Sequence, residues 1–252
     1  MDMIEQIAAQ LKELGITEGD TVLIHSSLKS LGEPVSPQQV IDALTRAVGE
    51  EGTVVFPALS YLHCNKNNPY FDYYNTPSNV GAIPEYFRTK VKGVIRSLCP
   101  THSCCALGKH AEYVTSGHIL DTTPCGANSP FARVKELGGK ILFLGCGMRP
   151  NTSMHAVEEL YEPDYLFGDT YKYQMKDREG NLFVHYCRAH NFAGVAQRYD
   201  RLEGLLEAGT ELKTGYVLRA YCHLIDARAM WLKAGKKYAE DPHYFIDYIQ
   251  KQ

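Results

Sequence analysis

The chain has 252 residues at 28.3 kDa, with 44% hydrophobic and 22% charged residues and a formal net charge of -3. That length buries a sizeable core in one large α/β domain or two small ones, and the charge balance gives no basic field for nucleic acid. No apolar run approaches the ~20 residues a bilayer span needs, and residues 1–14 form an amphipathic pattern with early acidic residues rather than the apolar core of a signal peptide, so the chain is read as cytoplasmic.

In "MDMIEQIAAQLKELG" the residues Ile4, Ile7, Ala8, Leu11 and Leu14 recur at helical spacing. "DTVLIHSSL" is a strand that runs out in small polar residues, and "SPQQVIDALTRAVG" is a helix opened by Ser-Pro and closed at Gly49. The strand "GTVVFPAL" leads into a long irregular stretch, residues 60–79, in which Tyr61, Tyr70, Phe71, Tyr73 and Tyr74 alternate with polar residues such as Asp72. Such a loop suits a sugar-like ligand, with flat apolar faces beside fixed hydrogen-bonding groups; aromatics that merely pin the loop down would look the same. There follow a helix "VGAIPEYFRTK", a strand "GVIRSL", helices "GKHAEYVTSGH" and "SPFARVKELGG", a buried strand "KILFLGCG" and a helix "NTSMHAVEELY". This alternation predicts an α/β fold whose central sheet, largely parallel or mixed, is flanked by helices. "TYKYQMKDREGNLFVHYCR" alternates with period two around residues 178–181 and reads as a β-hairpin near residues 170–190. The remainder, from "NFAGVAQRYDRLEGLLEAG" to "LIDARAMWLKAGKKYAED", reads as helical with short strands between. With no linker and no repeat, residues 1–252 are taken as one domain.

The motifs for a P-loop, a dinucleotide fold, a nucleophile elbow and a zincin are all missing from the sequence. What remains are polar clusters at the carboxyl ends of strands, where open α/β sheets place ligands. The first is "HSSLK": His25, Ser26, Ser27 and Leu28 offer backbone N–H groups and Lys29 a point charge to an anion, although a plain strand exit has the same composition. The second holds His102 and Ser103, whose hydroxyl could donate to a developing oxyanion. The third is His155, with Glu158 and Glu159 three and four residues on along the same helix face and Glu162 and Asp164 close behind. An ordinary exposed His–Glu pair shows the same spacing. His185, Cys187 and His190 make an H-x-C-x-x-H that keeps a metal-dependent hydrolase open as an alternative; no second paired spacing completes it, and no metal is expected. The eight cysteines are scattered, so free thiols are expected, and Cys104 and Cys105 are read as inert rather than as acyl carriers.

The order and spacing of "LGITEGDTVLIHSSLKSLG", "GTVVFPALS", "YFDYYNTPSNVGAIPEYFR", "PTHSCCALGKHAEYV", "GANSPFARVKELGGKILFLGCG" and "NTSMHAVEEL" resemble those of the aminoglycoside 3-N-acetyltransferase family, the antibiotic N-acetyltransferases. The resemblance runs from the first helix to the end of the chain and is densest up to Tyr161. It implies a single α/β domain distinct from the GNAT acetyltransferases, and transfer of acetyl from acetyl-CoA to an amine of an aminoglycoside or related amino sugar. By position it implies His155 as catalytic base with Glu158 as its motif's acidic residue, His25 to Lys29 along the coenzyme, Ser103 as a recurrent small residue, and Ser129 and Arg133 of the S-P-x-x-R segment at the coenzyme too. Where several members supply an acidic pair from the strand after the hairpin, this chain has Arg188 and His190, and His190 becomes the second catalytic candidate; Cys99 stands where members usually have His.

A thioester is already activated, so the chemistry asks for acetyl-CoA held beside a deprotonated amine and for stabilisation of a tetrahedral oxyanion. An imidazole of ordinary pKa ~6.5 accepts a proton at neutral pH and contributes on the order of 10²–10⁴ in rate. The acidic set Glu158, Glu159, Glu162 and Asp164 would hold the other amines of a cationic acceptor, with Tyr61, Tyr70 and Asp72 as further acceptor contacts. The partners expected are acetyl-CoA and a small cationic amine; a non-catalytic CoA- or sugar-binding relative is a further alternative, and homo-oligomer formation is left open.

Overall fold

The computed structural model describes residues 2–32 and 34–249. Helix α1 (Met3–Leu14) starts with a capping box in which Asp2 accepts from Glu5 N and Glu5 reaches back to Asp2 N. Strand β1 (Thr21–Ser26), helix α2 (Pro37–Val48) and β2 (Thr53–Pro57) follow, then the short β3 (Tyr70–Asp72), α3 (Ala82–Lys90), β4 (Ile95–Arg96) and β5 (Cys104–Gly108). Helices α4 (Ala111–Ser116) and α5 (Pro130–Glu136) lead to β6 (Lys140–Leu144) and α6 (Ser153–Tyr161). The hairpin β7 (Phe167–Lys176) and β8 (Leu182–His190) precedes β9 (Val195–Gln197), β10 (Leu212–Val217), β11 (Ala220–Asp226), α7 (Ala227–Glu240) and β12 (Ile246–Tyr248).

The main sheet has the order β10-β11-β6-β1-β2-β5-β4. It is mixed rather than largely parallel: β1 pairs parallel with β2 and β6, and every other pairing is antiparallel. Helical crossovers build only the three central strands, while β4 with β5 and β10 with β11 attach at the edges as antiparallel pairs. Period-two alternation sends Val22 and Ile24 to one face, packed against α1, α2 and α3, and Leu23 to the other, packed against α4 to α7. Both faces are therefore covered, which is why the central strands read as continuous apolar runs. Among the described residues no helix is long and apolar enough to cross a membrane.

The expected hairpin is present, its turn closed by the Asp177 carboxylate accepting from Asn181 N at 2.7 Å. It forms a separate three-stranded sheet with β3, the one regular piece of the long aromatic stretch. Phe71 and Tyr173 are buried between that stretch and the hairpin, so some of the aromatics do pin the loop down. "CCALG", left without an element in the sequence reading, is strand β5. One reading is corrected. Residues 191–209 are no helix but β9 and a short 3₁₀ segment, Tyr199–Gly204, in a stretch interrupted by Gly194, Gly204 and Gly209.

Candidate functional site

Strand β1 ends at the same sheet edge as the start of β5, because β2 runs parallel to β1 and pairs Pro57 with Cys104 antiparallel. Residues leaving β1 thus meet residues entering β5. Between that edge, α6 and the hairpin lies a cavity of about 1200 Å³, lined among others by His25, Ser26, Tyr61, His102, His155, Asp169, His190 and Tyr199. One drug-sized ligand fills roughly 300–1,000 Å³, so this cavity has room for two reactants. After β6 the chain turns sharply at Gly145, φ 70°, where a Cβ would stand 1.8 Å from Ser30 Oγ; the turn returns the chain so that α6 begins over the cavity.

His155 lies in the first turn of α6 and its side chain is 13% exposed. Its Nδ1 is 2.9 Å from Glu158 Oε2 and 2.9 Å from the Tyr199 hydroxyl. Glu158 is fully buried and accepts from Tyr199 at 2.7 Å and from Tyr165 and Tyr238 at 2.9 Å each. Burial raises the Glu158 pKa, but the hydrogen bonds from His155, Tyr199 and Tyr165 outweigh it and hold the carboxyl below its ordinary value. An ionised carboxylate only accepts, so His155 carries its proton on Nδ1 and keeps the Nε2 lone pair. This corrects the assignment of Glu158 to the acceptor: it stands behind the histidine and orients it.

Glu159 is corrected in the same way. It accepts from Thr123 Oγ1 at 2.5 Å, Cys125 N at 2.8 Å and pairs with His190 Nε2 at 2.7 Å. Burial raises Glu159 to about 7 and pushes His190 well below its ordinary value, with His155 nearby adding to the latter. The pair therefore favours an uncharged imidazole. The rest of the acidic set is dispersed: Glu162 pairs with Arg188, and Asp164 with His243. Among the described residues the cavity's one lining carboxylate is Asp169, which the sequence reading missed. Period two along the hairpin carries a usable signal for it, since Asp169, Tyr171 and Tyr173 alternate and all three line the cavity.

The three imidazoles of His102, His155 and His190 face one another, with ring centroids 6.0 Å apart for His102 and His155, 5.1 Å for His102 and His190, and 5.0 Å for His155 and His190. Burial, then His190 and His155, push His102 well below its ordinary pKa; burial and His155 push His25, stacked on Phe143 at 5.1 Å, down to about 3. His25 Nε2, Ser26 Oγ and His190 Nδ1 are buried atoms without a hydrogen-bond partner among the described residues, and all belong to cavity-lining residues. They are the polar groups a ligand would satisfy.

The other candidates fall outside the lining. Ser27, Leu28 and Lys29 continue past Ser26, with Lys29 exposed on a 3₁₀ turn. Ser103 donates to Ala58 O and accepts from the buried Arg96, because neighbours in an extended segment point apart and His102 takes the cavity side. Ser129 caps α5, and Arg133 is held by Glu136, Asn128 and Tyr113. Tyr61 lines the cavity, whereas Tyr70 and Asp72 do not; Asp72 caps a turn at Tyr74 N and Asn75 N and pairs with Lys176. All eight cysteines are free thiols, and burial pushes Cys105 up to about 11 and Cys104 further, so neither is a nucleophile at neutral pH. His185 and Cys187 do not join His190 in a metal-ligand cluster; among the described residues the one such cluster is His102, His155 and His190.

The mixed sheet between helical layers is an α/β fold built unlike the GNAT fold, and its relatives are acyltransferases. The chain belongs to the aminoglycoside 3-N-acetyltransferase family, whose model matches residues 23–239. It is 32% identical over 179 residues to aminoglycoside N(3)-acetyltransferase VII of Streptomyces paromomycinus, covering 62% of this chain and 59% of that protein. It is 30% identical over 246 residues to aminoglycoside N(3)-acetyltransferase IV of a Salmonella species, covering 96% and 89%. Among solved structures, AAC-IIIb in a binary complex with CoASH superposes with a TM-score of 0.78 at 25% identity, over 94% of this chain and 96% of that one.

Proposed function

We propose that the chain transfers acetyl from acetyl-CoA to an amine of an aminoglycoside or related amino sugar, with His155 as general base. The observation that carries this is the Nδ1 hydrogen bond of His155 to ionised Glu158, which leaves a lone pair on Nε2 of a cavity-lining imidazole. Nε2 takes the proton as the amine nitrogen bonds to the thioester carbonyl; the tetrahedral intermediate collapses with cleavage of C–S, and the departing thiolate recovers that proton. Ser26 Oγ, buried without a partner among the described residues, supplies a donor for the oxyanion, and neutral His190 adds a second polar group 5.0 Å from His155 between ring centroids. Coenzyme lies along His25 and Ser26, a reading supported by their buried, cavity-lining polar atoms that have no partner among the described residues; the CoASH-bound relative supports only that a coenzyme is bound. Asp169 and Tyr61 face the acceptor, and a single lining carboxylate among the described residues suits an amino sugar with few ammonium groups better than a highly charged one.

Thiol release from acetyl-CoA with a panel of amino sugars graded by amine count tests the reading. Turnover is expected with at least one of them, and His155→Ala is expected to lower kcat on the order of 10²–10⁴-fold. Full turnover in that variant would remove the base assignment, and no release with any amine would remove the activity.

A further inference from the structure

Each of the three clustered histidines is held by one ring nitrogen. His155 Nδ1 bonds Glu158 at 2.9 Å, His190 Nε2 bonds Glu159 at 2.7 Å, and His102 Nδ1 meets Thr101 Oγ1 at 2.8 Å. Among the described residues the opposite nitrogens, His155 Nε2 and His102 Nε2, make no such bond, and His190 Nδ1 is buried without a partner on a side chain only 5% exposed. One nitrogen from each ring lies within 4.8 Å of the others. Metal-binding histidines use their two nitrogens in this divided way: one is held by a carboxylate or hydroxyl that fixes ring and tautomer, and the other offers its lone pair to the ion.

We propose that His102, His155 and His190 form a three-histidine site for a divalent transition metal, with Zn²⁺ as the best-fitting ion. The residues come from the turn before β5, from α6 and from the end of β8, so the site ties three elements together. Three neutral imidazoles and an open position toward the cavity match the ligand number of a zinc ion with one exchangeable place. With Zn–N at ~2.1 Å the ligand nitrogens of a tetrahedral ion stand ~3.4 Å apart, so rings already within 4.8 Å need a closing movement on the order of 1 Å. Softer ligands do not compete, because the neighbouring thiols are not part of the cluster. Metal binding and acyl transfer then exclude each other. The ion occupies Nε2 of His155, the lone pair the proposed base uses, so an occupied site is a switched-off transferase. This consequence rests on the function proposed above; the binding itself does not.

The two are separated by measuring binding directly. Apo protein is titrated with Zn²⁺ by calorimetry and with Co²⁺ by visible absorption, and acetyl transfer is followed at the same occupancies. The expected result is one equivalent of metal, a four-coordinate Co²⁺ spectrum without a thiolate charge-transfer band, and transfer that falls in proportion to occupancy and returns with a chelator. His102→Ala and His190→Ala are expected to abolish stoichiometric binding, and Glu159→Gln to weaken it about tenfold through loss of the supporting carboxylate. Circular dichroism identifies variants that keep the fold, and His102→Gln replaces any that does not. Absence of a stoichiometric site, a thiolate band, or undiminished binding in folded His102 and His190 variants would overturn the site. Metal bound with transfer unaffected would overturn the switch, and a chain that binds metal but acetylates nothing would retain the site and remove the function.

Discussion

His155 and Glu158 stand three residues apart, a spacing that is legible without a structure. What spacing does not reveal is depth. Both glutamates after His155 look from sequence as though they face a cleft beside it, yet each is buried behind a histidine, Glu158 behind His155 and Glu159 behind His190. The burial is set by Tyr165, Tyr199 and Tyr238, whose hydroxyls satisfy Glu158 from 7 to 80 residues away. No local pattern announces such partners. The arrangement makes a sharp prediction for Glu158→Gln. An amide places a donor where only an acceptor stands, which favours a proton on Nε2 of His155 in place of the lone pair. We expect kcat to fall on the order of 10²–10⁴-fold with the KM for acetyl-CoA nearly unchanged, by analogy with a triad whose carboxylate is amidated. Steady-state kinetics that show a loss confined to KM would contradict the tautomer argument.

The hairpin shows how an element can be legible while its purpose is not. Its period-two pattern and turn locate β7 and β8 to within a few residues, because the Asp177 turn and the alternation are local. Its docking against β3 and the cavity is a tertiary event. The register shift between Phe167 and Thr170 brackets Asp169 and breaks the regular ladder there. Sequence reading placed the acceptor's carboxylates on the helix after His155, and the structure leaves Asp169 on the hairpin as the one lining carboxylate among the described residues. The expected outcome for Asp169→Asn is a KM for the amino sugar about tenfold higher, equivalent to ~1.4 kcal/mol of lost ion pairing, with kcat and the KM for acetyl-CoA little altered. Initial-rate measurements with each substrate varied in turn decide it, and an effect on acetyl-CoA instead would place the coenzyme at the hairpin.

Across the whole molecule, the α/β alternation was readable because helix and strand periods are local, whereas the antiparallel edges of the sheet were not, because pairing direction depends on where a connection returns. Burial of titratable groups is likewise a property of the assembled layers, and it fixes the pH dependence of stability. Burial pushes His25 to about 3 and His118 to about 4 and holds His102 and His190 well below the ordinary value of 6.5. These groups are neutral in the folded chain, so their stabilisation is fully present above pH 6.5. Below it the unfolded chain takes up protons that the folded chain refuses, and stability is lost as pH falls. Glu159 works the other way: raised to about 7, it binds a proton in the folded chain between the ordinary value of 4.5 and 7, and favours folding as pH drops through that window. The histidines outnumber it. His118 is the cleanest probe because it lies outside the cavity lining, bonded to Ser97 Oγ at 2.9 Å and Pro124 O at 2.9 Å, with His185 as the one other titratable group that bears on it. Its own share amounts to about 3 kcal/mol between pH 6.5 and pH 4. Urea unfolding from pH 7 down to pH 5 is expected to show falling stability, and His118→Asn to flatten that slope increasingly as pH falls, approaching one proton, or ~1.4 kcal/mol per pH unit, near pH 5. A variant whose slope matches the parent would mean that His118 titrates alike in both states, and that acid lability arises from the histidines around the cavity instead.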